Sequence, residues 1–132
     1  MELYLVAGKV KGLKAGLYYY GSDGHFLKLL RRGDPRAPLA GAALSQGSIS
    51  AAPALLVLAA DYGRTAKRYG ERASRYVHME AGHIGENVHL QCEALGLGTV
   101  MIGAFDDERV KKLLGIEQEP LYIMPVGKKK PE

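Results

Sequence analysis

The sequence predicts a single α+β domain in which strands and helices build one layered structure. Three observations carry that reading. Short apolar runs closed by glycine-rich turns recur along the chain. A long segment repeats its apolar residues every three or four positions. No repeat, linker or low-complexity tract divides the 132 residues, a length suited to one hydrophobic core.

Taken in order, residues 3–10 (LYLVAGKV) read as a strand ended by a turn, and KGLKAG follows as a loop. LYYYGSDGHFLKLL reads as a hairpin, with a Gly-Ser-Asp-Gly turn between two apolar strands. Residues 34–44 suit a short helix with Asp34 as N-cap and Pro35 in its first position. The run 52–60, APALLVLAA, is apolar throughout, as in a strand covered on both faces. The longest helix spans about 72–95. Its stripe is Val77, Ala81, Ile84, Val88, Cys92 and Leu95, and Gly96 closes it. TVMIG reads as a short buried strand. DDERVKKLLG is a helix capped by Asp106 or Asp107 and closed by Gly115, and PLYIMPVG is a final strand. The chain starts almost inside a strand, so the sequence reads as beginning partway into a domain.

Composition bounds the function. Hydrophobic residues are 47% and charged residues 24%, an ordinary globular balance. No apolar run reaches spanning length, and MELYLVAG lacks a basic leader, so neither a membrane span nor a secretory signal is expected. The one cysteine, Cys92, has no partner for a disulfide and fits a reducing, cytoplasmic setting. A single asparagine and few glutamines fit a thermophilic source. The net charge of +4 draws on Arg64, Lys67, Arg68, Arg72, Arg75 and the tail lysines 128–130. Without finger spacing or an RNA-binding aromatic motif, that charge does not read as nucleic-acid binding.

The usual chemistry-bearing motifs are missing. His78, His83 and His89 share the long helix, but His78 and His83 point about 140° apart and His89 lies about 16 Å beyond His78. They do not make a metal site. No phosphate loop is present, and GLGTVMIG leads from helix to strand, the reverse of a dinucleotide fingerprint. Cys92 sits on the apolar stripe as a buried structural residue. Two features remain. One is the arginine and tyrosine cluster RYGERASRY at 68–76. Its bland reading is a solvated basic face, and its functional one is contact with an anion or cofactor. The other is ALGLGTVMIGAFDD at 94–107, whose Gly96, Gly98 and Gly103 imply sharp turns or the close approach of a flat ligand.

These segments, with RRGDPRAPLAGAALSQGSISAAPALLVLAA before them and EPLYIMPVG after, resemble the nitroreductase superfamily, and within it the SagB-type dehydrogenases. The likeness covers almost the whole chain in order. It implies a nitroreductase-like fold with a central, mostly antiparallel sheet flanked by helices. It also implies FMN as cofactor, a homodimer with flavin at the subunit interface, and a small-molecule substrate with NADH or NADPH as possible reductant. Ile102, Gly103 and Ala104 match the segment beside the flavin ring. Ser45 and Gln46 match a stretch at its polar edge. Lys128 or Lys130 matches the basic residues that hold the phosphate. Arg68-Tyr69 stands where azole-forming members carry Lys-Tyr, which assigns Tyr69 as proton donor and Arg68 as an electrostatic aid. Arginine stays protonated and cannot act as the base. The family's N-terminal Arg-x-Ser-x-Arg-like and later Pro-Ser-x-Gly-like motifs have no match here. On that count the expected chain is N-terminally truncated. The alternative to an FMN-dependent oxidoreductase is then a flavin-poor remnant serving as a binding or dimerisation module.

Overall fold

A computed structural model describes residues 1–131. Six strands form one fully antiparallel sheet in the order β3-β2-β1-β4-β6-β5. They are β1 (Glu2–Ala7), β2 (Gly16–Gly21), β3 (Phe26–Arg32), β4 (Ala54–Ala60), β5 (Leu97–Thr99) and β6 (Glu119–Lys128). β1 lies between β2 and β4, inside the sheet. It pairs Leu3 with Tyr20 on one side and with Leu58 on the other.

Five helices cover the two faces: α1 (Arg36–Ala42), α2 (Gly47–Ala51), α3 (Tyr62–Tyr69), α4 (Ala73–Ala94) and α5 (Asp107–Leu114). The continuous apolar run of β4 is explained by burial on both sides. Leu55, Val57 and Ala59 join one core with α1, α2 and α5, through Leu39, Ile49, Val110 and Leu114. Leu58 and half-buried Leu56 face the other way, toward Ala81, Ile84 and Val88 of α4 and Met124 of β6. A strand of alternating polarity would have left one of these helix layers without a floor.

Several boundaries differ from the sequence reading. The first strand ends at Ala7. Pro35 takes the N-cap position of α1, and Asp34 stands one place earlier, where its carboxylate accepts from the Arg36 backbone N–H at 3.1 Å and pairs with the Arg36 guanidinium. The helix stops at Ala42 because Leu44 and Ser45 both adopt positive φ, 57° and 55°. α2 and α3 were not foreseen. α2 has five residues and buries only Ile49; α3 buries none. α2 is too short to show a period, and α3 has only Tyr62, Ala66 and Tyr69 on one side, with no buried residue to anchor it. In place of a TVMIG strand, β5 occupies Leu97–Thr99, and Ile102 makes one isolated bridge to Ile123. In α4, Val77, Ala81 and Cys92 are buried as expected, but Leu95 caps the helix and is 64% exposed. Asp106 does cap α5, accepting from Arg109 N–H at 3.0 Å, and left-handed Gly115 closes it. Among the described residues no helix is long and apolar enough to cross a membrane.

Candidate functional site

The backbone between α4 and α5 passes beside α2, and this neighbourhood gathers most of the residues singled out in sequence. Gln46 precedes α2. Its Nε2 donates to Ala43 O at 2.9 Å and to Ala104 O at 3.1 Å, clamping two segments 58 residues apart. Asp106 N–H donates to Ala42 O at 2.9 Å and closes the same junction. Ser45, next to Gln46, sits at positive φ along with Leu44. Two consecutive non-glycine residues in the left-handed region cost free energy, and such strain persists where the surroundings over-determine it, often at functional sites.

The three glycines of ALGLGTVMIGAFDD separate by cause. Gly96 has φ of 69° and ends α4. A Cβ on Gly98 would press the Lys129 side chain at 3.2 Å. Gly103 has neither reason. It is exposed, and a Cβ there would make only ordinary contact with Tyr122, at 3.7 Å. Gly103 and Ala104 therefore present bare backbone to the outside, beside the Gln46 clamp, while Ile102 just before them is buried and paired.

Following the chain back from Gly103 leads into a cleft of about 290 Å³ lined by Ser48, Pro53, Gly98, Thr99, Lys128 and Lys130, among others. Its lining is largely apolar, with two exposed ammonium groups at the rim. Thr99 Oγ1 is buried there without a hydrogen-bond partner among the described residues. A hydroxyl shut off from water without a partner is costly, so it marks a place where a ligand atom would be welcome. Lys129 points elsewhere: its Nζ binds Glu93 Oε2 at 2.6 Å and holds that carboxyl below its usual range. Lys128 and Lys130 are left for the cleft. Residues 98–104 thus connect an electropositive cleft to an exposed stretch of backbone over at most about 20 Å of chain.

Arg68 and Tyr69 lie elsewhere. They end α3 and line a second cleft with Arg64, Thr65, Tyr76 and Glu80. Tyr69 meets Tyr76 edge-on, centroids 4.9 Å apart, and the Arg68 guanidinium sits 5.4 Å from the Tyr69 ring. This cleft is at the first turns of α4, whereas Lys129 and Glu93 mark the last; about 25 Å of helix separates Tyr76 from Glu93. One chain therefore brings together Gln46, Gly103 and Ala104, sets Lys128 and Lys130 on a cleft that shares residues 98–100 of the same segment, and leaves Arg68 and Tyr69 apart from both.

Sequence reasoning missed Thr99 and Ser48. Thr99 lay inside a stretch read as a buried strand, where threonine is unremarkable, and only the missing partner singles it out. It also missed the outer face of α4, where Tyr76, Met79 and Leu90 are exposed. Their spacing of three and eleven residues returns to one side of a helix, where exposed His83 and Glu86 stand between Met79 and Leu90. Of the histidines on α4, His78 Nε2 lies 2.8 Å from Tyr62 Oη.

Comparison with known proteins adds independent findings. The model of the nitroreductase family matches residues 2–128. A protein of Methanocaldococcus jannaschii named as a candidate nitroreductase is 43% identical over 129 residues, which cover 98% of this chain and 65% of that relative. The crystal structure of a candidate nitroreductase from Anabaena variabilis superposes with a TM-score of 0.92 at 34% identity, over 98% of this chain and 27% of that one. An NADPH:FMN oxidoreductase from Vibrio harveyi, solved with NAD+, aligns at 27% identity and a TM-score of 0.62, over 74% of this chain and 50% of its own. The chain thus spans less than two thirds of the length of each of these relatives.

Proposed function

This chain belongs to the nitroreductase family, and from that membership we propose that it is an FMN-dependent oxidoreductase, of the SagB-type branch, acting on a small organic substrate. The observation that carries the reading is the cleft with Lys128 and Lys130 at its rim and the unpartnered Thr99 hydroxyl in its lining, a few residues along the chain from the exposed backbone of Gly103 and Ala104. An extended molecule with an anion at one end and a flat ring at the other matches those features in that order. The flavin, when bound, would supply hydride transfer, with NADH or NADPH as the source.

The protein's part is binding and positioning. Lys128 and Lys130 would hold the phosphate as mobile point charges. Thr99 Oγ1 would gain the partner it lacks. The Gln46 amide fixes the Ala104 carbonyl, so the backbone of Gly103 and Ala104 keeps one orientation, and the absence of a side chain at Gly103 lets a ring lie close. Ser45 adds a hydroxyl at the same edge.

We place Arg68 and Tyr69 in the site through a second copy of the chain. The exposed Tyr76, Met79 and Leu90 on one side of α4 support a homodimer, because such residues are costly in water and suit a self-complementary helix contact. In that assembly Tyr69 of one protomer serves as proton donor at its partner's flavin, and Arg68 favours the anion that forms. Arg68 cannot accept a proton at neutral pH, which speaks against azoline oxidation as the reaction.

The test is the visible spectrum of purified protein, before and after incubation with FMN and desalting. A retained flavin spectrum that is lost in a Lys128→Gln/Lys130→Gln variant is the expected result. A colourless protein that stays colourless after incubation would overturn the flavin reading and leave a binding or dimerisation module.

A further inference from the structure

On the opposite face of the sheet from α4, the ends of three elements enclose a cleft of about 660 Å³ that the flavin reading does not use. It is lined by Arg31 of β3, Pro38 and Gly41 of α1, and Arg109, Lys112 and Leu113 of α5. Three cations meet there and no carboxylate lines it. Four cations elsewhere are matched, Arg36 by Asp34, Arg64 by Glu2, Lys111 by Glu119 and Lys129 by Glu93; what distinguishes this cleft is three cations on one concave lining. Among the described residues, Arg31, Arg109 and Lys112 form no ion pair.

One guanidinium group is nevertheless held in place, and the other is only loosely approached by a carbonyl. Arg31 Nη2 donates to Leu113 O, and Arg109 Nη1 reaches Gly41 O at 3.5 Å. Each contact uses one donor of a five-donor fork and leaves the others open. An arginine anchored by a carbonyl loses less rotamer freedom when it takes an anion. Like charges gathered around one cleft repel one another, so the arrangement is relieved by a ligand that brings negative charge. Pro38 and Leu113 make the remaining wall apolar, and a bare inorganic ion has no use for that.

We propose that this cleft is a second binding site, separate from the flavin groove, for a small molecule carrying a phosphate ester on a compact organic body. Arg31 and Arg109 would grip the phosphate oxygens, Lys112 would add a mobile charge, and the organic body would rest on Pro38 and Leu113. A nucleotide and a sugar phosphate share this chemistry.

Calorimetric titration of the full chain at low ionic strength tests the site, with AMP, glucose 6-phosphate, inorganic phosphate, adenosine and a short RNA oligonucleotide as probes, the last repeated at rising salt. Each is run on the wild type and on the Lys128→Gln/Lys130→Gln variant, which removes the charges of the other groove. The expected result is saturable binding of AMP or glucose 6-phosphate in both proteins, weaker binding of inorganic phosphate, and none of adenosine. Preference for AMP identifies a nucleotide; equal binding identifies the phosphate ester as the common element. Lys112→Gln and Arg109→Gln each weaken binding tenfold or more. Neither residue is buried, and Lys112→Gln leaves the Arg31 contact to Leu113 in place, so at least that variant stays folded. Three results would overturn the proposal: no saturable heat with any phosphate, binding that survives Lys112→Gln but vanishes in the Lys128/Lys130 variant, or tighter binding of an RNA oligonucleotide with a steep salt dependence.

Discussion

Gln46→Ala is the perturbation that most directly tests the junction between the α1–α2 turn and the strand-to-helix segment at 102–106. The Gln46 amide makes two hydrogen bonds, to Ala43 O and to Ala104 O. A hydrogen bond of this kind contributes about 0.5–1.5 kcal/mol net, so deleting two costs at most about 3 kcal/mol. Ala104 is exposed, and its carbonyl regains water once the amide is gone, while the buried Ala43 carbonyl keeps the Gln46 backbone N–H as donor at 3.2 Å. The expected loss is therefore near the lower end, about 1 kcal/mol, or roughly 3–6 °C in Tm for a chain of this length. Gln46→Glu is the sharper variant. It keeps size and shape but sets a carboxylate against two carbonyl oxygens, and it is expected to be less stable than Gln46→Ala despite its closer likeness to the wild type. Thermal and urea unfolding of the three proteins measure this, and FMN retention after desalting is expected to fall in the same order. If Gln46→Glu unfolds with wild-type midpoints, the clamp does not hold this junction and the positioning argument for Gly103 and Ala104 fails.

Other outcomes follow from the same structure. Leu58→Ala empties a fully buried position against α4 and is expected to cost about 2–5 kcal/mol, read from urea unfolding. The Arg36 guanidinium holds the Asp34 carboxyl below its ordinary value. Its contribution to stability is complete above the ordinary carboxylate range and is lost as pH falls through the lowered folded value, so the acid limb of unfolding should flatten in Asp34→Asn. Burial pushes the Cys92 thiol up, with Glu93 adding to the shift, so a thiol-specific disulfide reagent is expected to label it slowly in the native protein and quickly in denaturant. Tyr69→Phe is expected to lower kcat about 100-fold or more with a lesser change in KM, measured on the flavin-loaded protein; an unchanged kcat would remove Tyr69 from proton transfer.

Strong local signals made much of the fold legible. The hairpin from Gly16 to Arg32, the double-sided burial of β4, the inward stripe of α4 and the caps of α5 each follow from residue type and spacing. α2 and α3 were not legible, since they are held by neighbours rather than by a periodic apolar face. The residues 99–103 look like a strand because Thr99, Val100 and Ile102 are β-formers in an apolar run, yet Thr99 ends β5 opposite Val126 and beyond it Ile102 makes a single bridge to Ile123. For the candidate site, the glycines pointed to close approach without saying which of them needed it. Conformation and packing account for Gly96 and Gly98 and single out Gly103. The unpartnered Thr99 hydroxyl and the Gln46 clamp depend on segments distant in sequence, and no local pattern announces them.

The central place of β1 also sets a timetable for the chain. During synthesis Glu2–Ala7 emerges before β2 and soon meets it, and β3 completes a three-stranded meander. Its other edge stays open until β4 has been made some fifty residues later, and β4 in turn waits for β6 at the far end. Until then an apolar strand with free backbone donors and acceptors is open to pairing with any other unfolded chain that carries an edge of the same kind. Closure of this sheet is governed by its last strand, so a ribosome that stalls before residue 119 releases a chain whose most hydrophobic strand still lacks a neighbour.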